Sequence, residues 1–151
     1  MNKKIKNATV TVVDGIEFKS KLEAAVYTKF KDAGITLKYE PSKVVLQDSF
    51  DPKFKYYTKS TKDKKVLTDK SNCKVREITY TPDFTLKIGN THFAFEAKGF
   101  QNDAYPIKKK LFMKKLQDWA MIYDYVFIEI FNHKNIEQAI EIVKTYNEEK
   151  H

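Results

Sequence analysis

Asp83, Glu96 and Lys98 fall within TYTPDFTLKIGNTHFAFEAKGF, residues 79–100, a stretch dominated by apolar and neutral residues. It reads as two strands joined by a very short turn. Gly89-Asn90 suits a two-residue loop, with glycine at the first central position of a type II′ turn. If those two residues form the loop, Ile88 pairs with Thr91, and the two numbers of every later pair sum to 179. Leu86 then opposes Phe93 and Phe84 opposes Phe95, both sensible apolar cross-strand pairs. The same register sets Asp83 directly across from Glu96 on one side of the sheet, and Lys98 projects from that side too. Two carboxylates about 5 Å apart are destabilising without compensation. The lysine gives partial relief. A divalent cation gives more, because hard cations such as Mg²⁺ take carboxylate and carbonyl oxygens together with water. Thr85 and Ala94 are small neighbours that leave room on that face. A solvated acid pair beside a lysine is the plainer reading of the same residues.

The elements that must position this hairpin are legible around it. Residues 8–18 (ATVTVVDGIEF) alternate and carry Asp14-Gly15, a hairpin signal. A helix is expected next, with Ser20 as N-cap, Leu22, Val26 and Phe30 at helical spacing, and Gly34 as its stop. Residues 35–46 look extended, interrupted by Pro41. Residues 47–75 are polar and lysine-rich, long enough to form a hairpin of their own or a mobile functional loop. After the central hairpin, Asp103 is expected to cap a helix with Pro106 in its first turn. Ile107, Leu111, Leu116, Trp119, Ala120 and Tyr123 are its expected apolar side. YVFIEIF, residues 125–131, is a strand-length apolar run, and residues 135–149 read as a last helix with Ile136, Ala139, Ile140, Val143 and Tyr146 inward. The order implies an α/β fold with a mixed central sheet flanked by helices, in one domain spanning 1–151 with a basic insertion at about 47–76.

The charge narrows the partners. The 151-residue chain carries a net +8, unevenly spread. Residues 51–76 hold nine basic and three acidic residues, and residues 107–115 hold five lysines and no acid. Uneven positive charge suits a polyanion such as nucleic acid. Arg76 is the only arginine against 27 lysines, so a general lysine bias that serves solubility remains an alternative. Cys73 is the only cysteine, which excludes an internal disulfide and a zinc–cysteine cluster. With no apparent signal peptide and no apolar run of about 18 residues, the expected location is the cytoplasm, without membrane association. His92 is expected at the surface, opposite Lys87, and Trp119 in the core.

Pro82-Asp83, twelve intervening residues, then Glu96-Ala97-Lys98 resembles the signature of the PD-(D/E)XK nuclease superfamily. Together with KSKLEAAVY upstream and EAKGF, it is similar to a group of small phage-encoded nucleases related to the endonuclease-I type of Holliday-junction resolvase. The resemblance covers residues 18–131 in order of elements and leaves out the long segment 47–75. It implies a restriction-endonuclease-like core and a role for each matching residue. Asp83 and Glu96 match the two metal-ligating acids, and Ala97 would offer its backbone carbonyl. Lys98 matches the lysine that orients the attacking water and offsets charge on the phosphate. Glu23 matches a helix glutamate that assists metal binding, although Ser20-Lys21-Leu22-Glu23 is also a capping box that accounts for it structurally. Lys110 and Lys114 match the helix after the motif and are candidates for backbone contact.

These residues lead to an expectation of a Mg²⁺-dependent endodeoxyribonuclease, with Mn²⁺ as a substitute, selective for branched or junction DNA. A bound metal acidifies water and acts as a Lewis acid in phosphodiester hydrolysis. Lys53, Lys55 and Lys59, interleaved with Phe54, Tyr56 and Tyr57, are the expected grip on DNA. Cutting both strands with one site per chain implies a homodimer or a higher even-numbered assembly, and a phage-encoded chain would act in the host cytoplasm. The alternatives are a sequence-specific homing or restriction-like endonuclease, an RNA-directed nuclease, and a non-catalytic nucleic-acid-binding module with the same fold.

Overall fold

Two tight turns set the local registers. The computed structural model describes residues 9–99 and 103–148. Residue 8, Phe100 of the EAKGF run, residue 149 and His151 lie outside these, as do the expectations placed on them. Asp14 and Gly15 both take left-handed backbone angles, φ 52° and 77°, as a type I′ turn requires, and join β1 (Thr11–Val13) to β2 (Ile16–Phe18). Ser20 then caps α1 (Lys21–Asp32), its Oγ accepting the Glu23 N–H at 3.1 Å. Gly34, at φ 81°, ends the helix.

The central sheet runs in the order β10-β9-β8-β3, from Asp124–Ile130, Thr91–Ala97, Phe84–Ile88 and Lys38–Tyr39. Strands β8 and β9 are antiparallel and turn on Gly89-Asn90; Gly89 has φ 56° and Asn90 is not left-handed, the type II′ pattern. Strands β9 and β10 are parallel, so they need a long crossover, supplied by α2 (Tyr105–Trp119). The result is a mixed sheet with helices on both faces. A β-branched residue at Gly89 forces an unfavourable left-handed angle; Gly89→Val is expected to lower unfolding free energy by roughly 1–2 kcal/mol in urea denaturation.

One face of the sheet buries Phe84, Phe93, Phe95, Ala97 and Ile130 against α1 and α3 (His133–Glu148). Helix α3 presents Ile136, Ala139, Ile140 and Val143 at helical spacing, all buried, and Tyr146 meets Phe93 edge-on at 5.1 Å. The other face, carrying Ala94, Tyr125 and Phe127, packs against Phe112 and Leu116 of α2 and against Leu46 and Tyr80. Leu46 and Tyr80 belong to β4 (Val44–Gln47) and β7 (Ile78–Tyr80), which pair antiparallel with a register shift between Val45 and Gln47. That pair is the base of a long ribbon. A bridge at Phe50–Val75 continues it, and β5 (Tyr57–Lys59) with β6 (Leu67–Asp69) forms a hairpin further out. The lysine-rich stretch is therefore a β ribbon.

Helix α2 departs from expectation. Its buried residues are Tyr105, Phe112 and Leu116, whereas Ile107 is 65% exposed, Tyr123, just beyond the helix, 41%, Trp119 37%, and Ala120 is exposed. Consecutive Leu111-Phe112-Met113 populate more than one stripe, and the stripe through Tyr105, Phe112 and Leu116 is the one that meets Tyr80, Ala94 and Phe127. Asp103 does not cap the helix: the N-cap is Ala104, with no side-chain bond, and Pro106 occupies the first turn, where a missing N–H goes unused. Among the described residues, no helix is long and apolar enough to cross a membrane.

Candidate functional site

The register expected for β8 and β9 is the one observed: Ile88 opposes Thr91, Lys87 His92, Leu86 Phe93, Thr85 Ala94, and Phe84 Phe95. The next level holds Asp83 and Glu96. The ladder has stopped there, and the Asp83 side chain continues it: its Oδ2 accepts the Ala97 N–H at 2.8 Å. The Asp83 carbonyl accepts the Glu40 N–H at 2.9 Å, tying the strand end to the residue after β3. On the other side, Glu129 of β10 is the parallel partner of Glu96. Three neighbouring strands thus carry an acid at one level of the sheet.

Three tyrosines hold the carboxylates. Tyr80 donates to Oε2 of Glu96, which is only 4% exposed. Tyr105 donates to Oε2 of Glu129 at 2.7 Å. Tyr39 donates to Oε2 of Glu23 at 2.9 Å. Burial first, and the partner carboxylate next, push all three phenols above their ordinary range, so they remain donors at neutral pH. Two lysines face the row. Lys98 Nζ lies 3.5 Å from Glu96 Oε1 and 4.8 Å over the Tyr105 ring. Lys109 Nζ lies 2.6 Å from Glu129 Oε1.

Glu23 realises its capping role while standing near the acids. Its Oε2 accepts the Lys19 N–H at 3.0 Å, one residue before the usual capping-box partner. Its charge still reaches Asp83 and Glu96, raising the proton affinity of both. Asp83 is pushed up to about 8, by burial first, then by Glu96, then by Glu23. Glu96 is also raised by burial, while the Tyr80 hydrogen bond and Lys98 pull it back. Burial and the neighbouring acids thus favour the protonated form of both carboxyls.

The donor chemistry fits a hard cation. Asp83 and Glu96 offer carboxylate oxygens without sulfur or imidazole among them, as Mg²⁺ prefers, and Mg²⁺ commonly uses only one or two carboxylates and keeps several waters. Among the described residues, no three His, Cys, Asp or Glu side chains converge into a group able to hold a metal by themselves. Glu23, engaged through Oε2, stands beside the row and is not a member of a ready-made cage.

The remaining lysines lie elsewhere. Lys53 and Lys59 are exposed on the ribbon, and Lys55 pairs with Asp69 at 3.2 Å. Lys110 is exposed, and Lys114 pairs with Asp118 at 3.1 Å. The α2 lysine joined to the acid row is Lys109. It was not legible in the sequence, nor were Tyr39, Tyr80 and Tyr105. Glu129 did leave a trace, as the lone charge within VFIEI. His92 is half-buried, contrary to the surface position expected: it stacks on Tyr125 at 5.2 Å and meets Tyr123 at 5.1 Å, because the chain leaving α2 brings those rings over it.

Tyr80→Phe removes a hydrogen bond to a buried carboxylate, a loss of about 1.5–3 kcal/mol in thermal or urea unfolding at a pH where Glu96 is ionised. The change raises Glu96 proton affinity further, so any activity requiring its carboxylate should shift its acid limb to higher pH.

Residues 2–129 match a family described as "Protein of unknown function (DUF1064)", and the chain belongs to that family. No curated protein and no solved structure matches it significantly.

Proposed function

We propose a Mg²⁺-dependent endodeoxyribonuclease with a restriction-endonuclease-like core, built as a single nuclease domain. The observation that carries this reading is the hairpin register, Phe84 opposite Phe95 with Asp83 Oδ2 bound to the Ala97 N–H, which sets Asp83 beside Glu96, with Lys98 Nζ 3.5 Å from Glu96. Asp83, Glu96 and the Ala97 carbonyl would hold the cation, assisted by Glu23. Bound there, it supplies a Lewis acid and lowers the pKa of water. Lys98 places positive charge where the phosphate gains negative charge. Tyr80 fixes Glu96, and Tyr105 and Lys109 hold the neighbouring Glu129 away from competing for the same cation.

Substrate preference follows from the ribbon. Its lysines suit phosphates in any sequence, and exposed Phe54, Tyr56 and Tyr57 suit unpaired bases. This favours branched DNA over a defined sequence. Cutting both strands with one site per chain calls for a homodimer, and Ile107, Met113, Met121 and Ile122 are exposed apolar side chains on and just after α2. The test is incubation with a four-way junction and a matched linear duplex, in Mg²⁺ or EDTA, at equal salt. Metal-dependent cleavage preferring the junction is expected; cleavage in EDTA, or none on either DNA, contradicts the proposal. The second reading, a non-catalytic nucleic-acid-binding module, is favoured by the absence of a three-acid cluster among the described residues. It predicts binding without cleavage.

A further inference from the structure

Beside the acid row, on the same face of the sheet, lies a partly open cavity of about 520 Å³. That volume falls within the ~300–1,000 Å³ range of small-ligand sites. Thr85 and Ala94 form its floor one step along the strands from Asp83 and Glu96, and Lys87 and His92 follow one step further. At strand spacing those steps lie about 7 and 13 Å from the acids. Trp119 and Tyr125 line the same space, with ring centroids 5.9 Å apart. Lys38, Thr36 and Ser42 line it from the β3 side. No acidic residue is among the described residues that line it, in contrast to the row next door. Within this lining, the buried Nε2 of His92 has no hydrogen-bond partner among the described residues. A buried polar atom left unpaired calls for an explanation.

Aromatic rings, hydroxyls, lysines and an unsatisfied imidazole nitrogen, with no carboxylate, match a nucleobase carried on an anionic backbone. We propose that this cavity receives an unpaired base of the bound DNA strand, about one or two nucleotides from the phosphate held at Asp83 and Glu96. The placement rests on the nuclease reading; the base-binding chemistry does not. A duplex keeps its bases stacked and leaves the cavity empty, so the pocket gives the chain a means of selecting strands with unpaired positions. Tyr125 and Trp119 supply the stacking surface, Lys38 and Lys87 meet the flanking phosphates, and His92 offers a ring nitrogen to the base edge.

Trp119 is the only tryptophan in the chain, which makes it a reporter of occupancy. The full chain in EDTA is titrated with a single-stranded oligonucleotide, the same-length duplex and the same-length abasic strand, reading Trp119 emission and polarisation. The single strand should quench Trp119 and bind about tenfold or more tighter than the abasic strand, while the duplex binds without quenching. His92→Ala should abolish the quench and the preference, leaving duplex affinity within about twofold. Ser42→Phe, at an exposed position on the rim, should do the same by obstruction. Equal quenching by all three DNAs, or an unchanged preference in both variants, overturns the proposal. Quenching by a free deoxynucleoside monophosphate at lower concentration than by the strand assigns the cavity to a free nucleotide and overturns it equally. Because no metal is present, failure here leaves the nuclease reading standing, and failure of cleavage leaves the base pocket standing.

Discussion

Asp83→Asn is expected to abolish DNA cleavage, by ~10³-fold or more, and at the same time to raise the melting temperature of the metal-free protein at pH 8. The first effect follows from losing a cation ligand, since several kcal/mol of charge stabilisation depends on the metal and each 1.36 kcal/mol is tenfold in rate. The second follows from the acid row. Asp83 binds its proton far more tightly when folded, up to about 8 against an ordinary 3.8, because it is buried beside Glu96 and Glu23. A carboxyl raised in this way contributes stability that is full below about 3.8 and lost as pH rises through about 8. At pH 8 the wild-type Asp83 is about half ionised, and folding has cost it the proton affinity difference that asparagine never carries. Asparagine keeps an oxygen to accept the Ala97 N–H, so the strand end stays closed. The gain should be several degrees at pH 8 and smaller at pH 5, as each 1 kcal/mol moves the melting point of a chain this size by roughly 2–4 °C. Differential scanning calorimetry in EDTA at the two pH values measures it. A variant that melts lower than wild type at pH 8 would mean that the carboxylate is well compensated by the protein alone.

Lys98→Ala should lower the cleavage rate by about 10²–10³-fold while changing DNA affinity less than about tenfold. An ammonium placed at a developing negative charge acts mainly in the transition state, and removing one such group typically has this size of effect. Lys98 also lies against Glu96 and the Tyr105 ring, and its loss leaves the Tyr80 hydrogen bond to Glu96 in place. Cation binding should survive, because a positive competitor has gone. Single-turnover cleavage at saturating enzyme, set beside a polarisation titration, separates the two terms. A fall in binding equal to the fall in rate would make Lys98 a simple DNA anchor.

The hairpin register was legible because Gly89-Asn90 reduces it to arithmetic: a two-residue turn leaves one pairing, and Asp83 must meet Glu96. Helix α1 was legible through Ser20 and Gly34, and α3 through a clean stripe from Ile136 to Val143. Helix α2 was not, since Leu111-Phe112-Met113 satisfies several helical faces and only the sheet beneath decides among them. The wider site was hidden for a related reason. Glu129 joins Glu96 through a parallel pairing whose partners are separated by a whole helix, and Tyr80 reaches Glu96 only once the ribbon from β4 to β7 has folded back. Nothing in local spacing announces contacts of that kind.

The central claim is that Asp83 and Glu96 together form a cation site. Titration of Mn²⁺ followed by its electron paramagnetic resonance signal, at pH 8 and without DNA, tests it most directly. Wild type should bind Mn²⁺, Asp83→Asn and Glu96→Gln should each weaken that binding by about tenfold or more, Mg²⁺ should compete, and His92→Ala should bind as wild type does. Identical Mn²⁺ binding in wild type and both acid variants would contradict the claim.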